Sequence, residues 1–330
     1  MSERSSVALV YEEHGRPEEV LKIKKLELPP LRDGEVKIKM EAAAIHPSDL
    51  GMIGGSYGRL RDLPAVGGRE GVGQVVETGP GVAATWESTR VRIPEHVGVW
   101  QSEQIASVEG LARIPEGVSS VQAALAAVNP TTAIRLLEDF EPLQPGDWVV
   151  QNAGNSAVGV AVIQLAKSKG LLTASLVRRG ELFEPLKRLG ANLVVLDERS
   201  APERIREARG DSRMPLGLNS IGGSSLLNLA QSVSDGGTVV TFGGMTGEKI
   251  RFPTRQLIFN DIGFRGFWMD RWNREHSSEE VSGLLDEVYK LIRDEVIVTP
   301  VAAVYSLADY REALQQAQSY RMGKVLFGNV

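Results

Sequence analysis

Between residues 148 and 170 the chain reads WVVQNAGNSAVGVAVIQLAKSKG, an apolar strand, a turn of small residues and then a helix. Strand, small-residue turn and helix in that order are the first unit of a dinucleotide-binding fold. Gly154 suits the tight turn, Ser156 stands where the second glycine of G-x-G-x-x-G would fall, and Gly159 permits close packing of helix on strand. The N–H groups that open a helix lack helical acceptors and suit an anion. Taken alone, so degenerate a motif also fits an ordinary tight turn. A second group of residues bears on the choice. The next apolar strand, 172–177, ends in Arg178-Arg179, where such a fold selects its ribose. A carboxylate there bonds a 2′-hydroxyl, whereas two guanidinium groups suit a 2′-phosphate; a solvated basic turn is the alternative. The expected cofactor is NADPH.

The elements that must position these residues alternate. A short helix over 121–127 is expected to be broken by Asn129-Pro130, and a second is expected over 131–140. Strands follow at 148–150, 172–177, 193–196, 216–220, 238–242 and 262–269, with helices between them. Such alternation predicts a doubly wound parallel sheet, a Rossmann α/β domain over 126–296, with its ligand at the carboxyl ends of the strands. Residues 1–125 differ. Alternating or β-branched runs at 6–11, 36–44, 71–78, 90–93 and 98–107 are separated by Gly and Pro. They predict a β-rich, partly open barrel. The tail carries an amphipathic helix through Leu284, Val288 and Ile292, then 298–303, a helix over 307–317 and a strand at 324–327. Residues 297–330 are expected to return to the first domain.

Composition narrows the function. The chain has 330 residues, 42% hydrophobic and 24% charged, as in a globular protein of two domains. A net charge of −5 without a basic block argues against nucleic acid as a partner. There is no cysteine, so thiol nucleophiles, disulfides and thiolate metal sites are excluded. No apolar run reaches the roughly 20 residues of a membrane span, and the start has no signal-like core. A cytoplasmic protein is expected, with a mature organellar form equally compatible.

A β-rich domain followed by a Rossmann domain resembles the medium-chain dehydrogenase/reductase superfamily, whose first domain is GroES-like. Its zinc alcohol dehydrogenases carry Cys near the segment Ile45-His46-Pro47-Ser48-Asp49 and a Gly-His-Glu. Here His46 stands near the first position, Arg69 replaces the histidine in Gly68-Arg69-Glu70, and no site of zinc type results. Hydride addition to an activated C=C bond is therefore expected rather than alcohol oxidation. The segments Gly54-Gly55-Ser56-Tyr57-Gly58, Val128-Asn129-Pro130-Thr131-Thr132, Phe242-Gly243-Gly244-Met245 and Gly266-Phe267-Trp268-Met269 resemble one zinc-free branch, the mitochondrial-type 2-enoyl thioester (enoyl-CoA or enoyl-acyl-carrier-protein) reductases.

The resemblance implies roles. Tyr57 falls on the proton donor and Asn129 on an asparagine beside the nicotinamide. Asn155, Ser156, Ala157, Val158 and Gly159 fall on the pyrophosphate turn, and Arg178 and Arg179 on the 2′-phosphate site. Phe242, Gly243, Gly244, Met245, Phe267, Trp268 and Met269 fall on the nicotinamide end, and Lys324 on a tail lysine near the cofactor. Without the resemblance Tyr57 reads as an aromatic of a glycine-rich loop, Asn129 as a helix end and Trp268 as core. His46 and Arg69 depart from the branch, as does the missing Pro-Gly-Asp turn near 85–96. The implied reaction is NADPH-dependent reduction of an acyl thioester carried on CoA or acyl carrier protein, as in fatty acid metabolism. Related alternatives are an NADPH:quinone reductase and a non-catalytic NADPH-binding protein. By fold analogy a homodimer is expected, paired through the last Rossmann strand.

Overall fold

The computed structural model describes residues 5–245, 247–250, 252–319 and 322–328. The backbone divides into two compact units, Met1–Ala127 with Pro300–Val330, and Val128–Thr299.

The second unit is built on six parallel strands. Across the sheet they run Leu193–Leu196, Leu172–Val177, Trp148–Asn152, Leu216–Asn219, Thr238–Thr241 and Gly263–Gly266. This is the doubly wound order in which the chain starts at the centre and reverses once. Trp148–Asn152 is buried at every residue. Continuous apolar runs of this kind arise because crossover helices cover both faces of a parallel sheet. The last strand is shorter than the expected 262–269, because Trp268 caps a further helix, Met269–Glu275. The short helix expected over 121–127 is Ser120–Ala123, and Asn129-Pro130 belongs to the helix that follows rather than lying between the two. It opens that helix, Asn129–Glu138, with Pro130 in the first turn, where its missing N–H costs nothing.

In the first unit the long strand Glu35–Ala44 organises the sheet. It pairs antiparallel with Gly71–Thr78, with Glu103–Ser107 and with Lys324–Gly328 from the tail. Val36, Ile38, Met40 and Ala42 are buried at the period of two that one covered face requires, and at the end of the strand Ala43 and Ala44 are buried as well. A smaller sheet joins Lys22–Glu27, Ser5–Tyr11 and Ala65–Val66. Lys22–Glu27 has no strand-like pattern of its own, and backbone pairing with Ser5–Tyr11 forms it. Trp100 is fully buried, its ring edge-on to Phe327 at 5.3 Å. Among the described residues no helix is long and apolar enough to cross a membrane.

Candidate active site

The turn after Trp148–Asn152 is made differently from the glycine motif it imitates. Ala153, not Gly154, takes the left-handed backbone, at φ 48°. Gly154 serves close approach instead: a Cβ there would lie 2.6 Å from Cβ of Ser175 on the neighbouring strand. A Cβ on Gly159 would meet the carbonyl oxygens of Ala153 and Gly154 at 2.8 Å, so this glycine does press helix against turn. Ser156 caps the helix Ala157–Ser168, its Oγ accepting from Gly159 N at 3.0 Å. Gln151 Nε2 donates to Gly159 O and to Ser175 Oγ, tying the helix start to two strands.

Below the turn lies a buried polar network. Asn152 Nδ2 donates to Asn219 Oδ1 at 2.7 Å and Ser225 Oγ at 2.9 Å, and its Oδ1 accepts from Ser220 N at 2.8 Å. Ser225 Oγ in turn donates to Asp197. These groups join the carboxyl ends of separate strands and fix the rim on which a nucleotide would lie. Nothing in their spacing announces them.

Arg178 and Arg179 directly follow Leu172–Val177; Arg178 is exposed and Arg179 pairs with Glu181 at 2.7 Å. Asn129 is buried, and its Nδ2 has no hydrogen-bond partner, a donor left for something the chain does not supply. Phe242 N donates to Asn219 O and Phe267 N to Thr241 O, both just past strand ends. Gly243 lies so near Ser220 that a Cβ would stand 3.0 Å from its carbonyl oxygen. Met245 is exposed, whereas Phe267, Trp268 and Met269 are half-buried, with Arg274 over the Trp268 ring. The helix N-terminus, the arginine pair and the orphan amide suit a 2′-phosphorylated dinucleotide.

The other candidate residues belong to the first unit. The loop 66–70 lies on Trp100: Gly67 and Gly68 press against the indole, and a Cβ on either would collide with it. Arg61 donates to the carbonyls of Val66, Gly68 and Glu95, which staples the loop further. The two residues that follow the glycines therefore have set directions. Arg69 places its guanidinium over the Tyr57 ring, 4.7 Å from the centroid, and ion-pairs with Glu95. Glu70 Oε2 accepts from His46 Nε2 at 2.7 Å, and Glu70 Oε1 from Ala127 N.

His46 Nδ1 lies 3.1 Å from Lys324 Nζ, which also donates to Ile45 O at 2.6 Å. An ammonium only donates, so Nδ1 accepts and the imidazole proton sits on Nε2. Burial, and next the Lys324 charge, hold the His46 pKa well below its usual value, so the ring is neutral. Both ring nitrogens are thus engaged by side chains. Lys324 is buried in this Lys–His–Glu line. Sequence reasoning flagged His46 and Arg69 as departures but had no signal for the line that joins them to Lys324 and Tyr57.

A dinucleotide-type parallel sheet whose sequence interrupts a β-rich unit is the plan of the medium-chain dehydrogenases/reductases. Residues 32–111 match the model of the alcohol dehydrogenase GroES-like domain, and 157–288 that of the zinc-binding dehydrogenase family. The human mitochondrial enoyl-[acyl-carrier-protein] reductase is 42% identical over 315 residues, 93% of this chain and 84% of that protein. The Dictyostelium discoideum protein of the same name is 36% identical, over 94% of this chain and 91% of its own.

Among solved structures, the mitochondrial 2-enoyl thioester reductase heterodimer of Candida tropicalis matches at TM-score 0.89 and 25% identity, covering 98% of this chain and 100% of that one. A complex of the Candida tropicalis enzyme with NADP and crotonyl-CoA matches at TM-score 0.90, 24% identity and the same coverage, a likeness of fold. A mycobacterial quinone oxidoreductase matches at TM-score 0.83 and 26% identity, again over 98% and 100% of the two chains. This chain belongs to the enoyl-[acyl-carrier-protein] reductase family of the medium-chain dehydrogenases/reductases.

Proposed function

We propose that this protein reduces the C=C bond of 2-enoyl thioesters with NADPH, and that Tyr57 donates the proton. The observation that carries this reading is the 42% identity to an enoyl-[acyl-carrier-protein] reductase over 93% of the chain, because a match of that extent takes in both units. NADPH, when bound, supplies the hydride that adds to the β-carbon. Asn155 to Gly159 would hold its pyrophosphate, Arg178 and Arg179 its 2′-phosphate, and Asn129 with the 242–245 and 267–269 segments its nicotinamide end. Lys324, whose ammonium meets His46 Nδ1 at 3.1 Å, would serve as the lysine that the family keeps for the cofactor. As charge builds on the thioester oxygen, backbone N–H donors stabilise it. Tyr57 then gives its phenolic proton to the α-carbon: its O–H bond breaks, a C–H bond forms and the thioester carbonyl is restored.

Turnover with crotonyl-CoA is expected to exceed turnover with a simple quinone, NADPH being the reductant in both assays. The reverse order would install the quinone reductase reading, which the mycobacterial structure favours on fold alone. Tight NADPH binding without turnover of either would install a non-catalytic one. Arg178→Ala is expected to weaken NADPH about 10- to 100-fold, the worth of a charged hydrogen bond, and NADH much less. Equal losses in a binding titration would remove the 2′-phosphate assignment.

The same reading extends to a homodimer and to a cytoplasmic site. Gly263–Gly266 is an edge strand, and Phe252, Leu257, Ile258 and Phe259 in the preceding segment are exposed. An apolar edge of this kind suits pairing with a second copy. A monomeric mass in solution would reject the dimer. Recovery of the protein with organelles on fractionation would reject the cytoplasmic assignment, since the relatives carry mitochondrial names.

A further inference from the structure

We infer that Arg69 is a positioning residue for Tyr57: its guanidinium plane, pinned by Glu95, sets the orientation of the phenol. The inference rests on the reading of Tyr57 as proton donor. Tyr57 follows the helix Pro47–Ile53 in the run Gly54-Gly55-Ser56-Tyr57-Gly58. Such a run restrains its backbone weakly. The turn is closed by Tyr57 N on Gly51 O at 3.1 Å, but that bond leaves the side-chain torsions open.

Orientation comes from the facing loop. Arg69 is 5% exposed and its charge is met by Glu95. Taking a guanidinium out of water is costly, and a buried arginine on a tyrosine ring is not explained by solubility. A planar guanidinium can stack on the ring while its edge stays paired, which a lysine ammonium cannot do.

The support for Arg69 is itself rigid. Arg61 ties Gly68 and Glu95 through their carbonyls, so the segments bearing Arg69 and its partner are held by one side chain. On the other side Glu70 is held by His46 and Ala127. Arg69 therefore meets the Tyr57 ring from a fixed base. Proton transfer to carbon is sensitive to such placement, and a displacement of about 1 Å costs on the order of 10²-fold in rate. The positive charge also lies over the ring, 4.7 Å from its centroid, and so favours the negative charge the phenol takes on as the proton leaves.

The test is a double-mutant cycle on the enoyl thioester assay with the full-length protein. R69Q is expected to lower kcat about 10- to 100-fold with the KM for NADPH unchanged, and to raise the solvent deuterium isotope effect on kcat. R69K should recover part of the loss. In a Y57F background R69Q should have no further effect, because the ring it orients no longer carries a proton. Glu95→Gln frees Arg69 while leaving it in place, and should give a smaller loss in the same direction.

A wild-type kcat in R69Q overturns the inference. So does an R69Q loss that is equally large with and without the Tyr57 hydroxyl. If R69Q does not fold, wild-type kcat in both R69K and Glu95→Gln overturns it. Full activity of Y57F alone instead removes the proton-donor reading, so the two failures are told apart.

Discussion

Replacing Tyr57 by Phe is expected to lower kcat for enoyl thioester reduction by roughly 10²–10⁴, the usual worth of general acid catalysis. In free energy that is about 3–5 kcal/mol of transition-state stabilisation. The substitution removes one O–H and keeps the ring, so the contact with Arg69 and the fold of the loop survive. The side chain is half-buried, and no apolar volume is lost. The KM for NADPH should not move, because the hydroxyl removed is assigned to proton transfer and not to the pyrophosphate turn, the arginine pair or Asn129. Steady-state rates from NADPH absorbance, with NADPH affinity from fluorescence, separate the two effects. An unchanged kcat removes Tyr57 from the reaction. A raised KM for NADPH with unchanged kcat would make it a binding residue.

Gly68→Ala is expected to destabilise the first unit strongly. The backbone there is at φ +83°, and an added Cβ would lie 2.3 Å from Cδ1 and 2.5 Å from Nε1 of Trp100. The indole cannot retreat: it is fully buried and donates to Ala44 O at 3.0 Å. A left-handed backbone costs a non-glycine residue about 1–2 kcal/mol, and overpacking adds about 1–3 kcal/mol. The midpoint of thermal unfolding should fall on the order of 10 °C. Activity should also suffer in the protein that remains folded, since Arg69 and Glu70 follow directly and take their directions from this loop. Gly81→Ala is the control: its φ is +73°, but nothing lies within 4 Å of the added carbon. Calorimetry on the pair isolates the collision. Equal losses would show that Trp100 moves aside.

The parallel series of the second unit was legible because it is buried on both faces. Continuous apolar runs mark such strands, and Leu172–Val177 and Leu193–Leu196 fall where the runs stand. The long strand Glu35–Ala44 was legible for the complementary reason, alternating burial over residues 35–41. Lys22–Glu27 was not, because what makes it a strand is the backbone of Ser5–Tyr11 rather than its own side chains. Helices Thr254–Phe259 and Met269–Glu275 escaped for want of a buried face: neither has a buried residue, so no periodic stripe betrays them. At Asn129-Pro130 the boundary between two helices was legible but its position was not: the first ends at Ala123 and the second starts at Asn129 rather than 131. Proline ends a helix that precedes it and begins one that follows, and the sequence around it suits either.

The nucleotide site divides in the same way. A small-residue turn between strand and helix, with two arginines after the next strand, is a local pattern whose parts lie within 30 residues, and order along the chain was enough to find it. That the strained residue is Ala153, and that Gly154 is there to clear Ser175, follows only once the two strands are paired.

By itself, then, the sequence determined the parallel sheet, the type of nucleotide the arginine pair suits and, through its run of matching segments, the reductase family. The tertiary structure alone decided which groups His46, Arg69, Glu70 and Lys324 meet. Lys324 stands 278 positions from His46 and Glu70 stands 24 from it, yet one imidazole bridges them. Hydrophobic periodicity says which faces are covered and is silent on which polar groups meet underneath. A buried charge must find its partner wherever strand pairing brings one, and no local pattern carries that information.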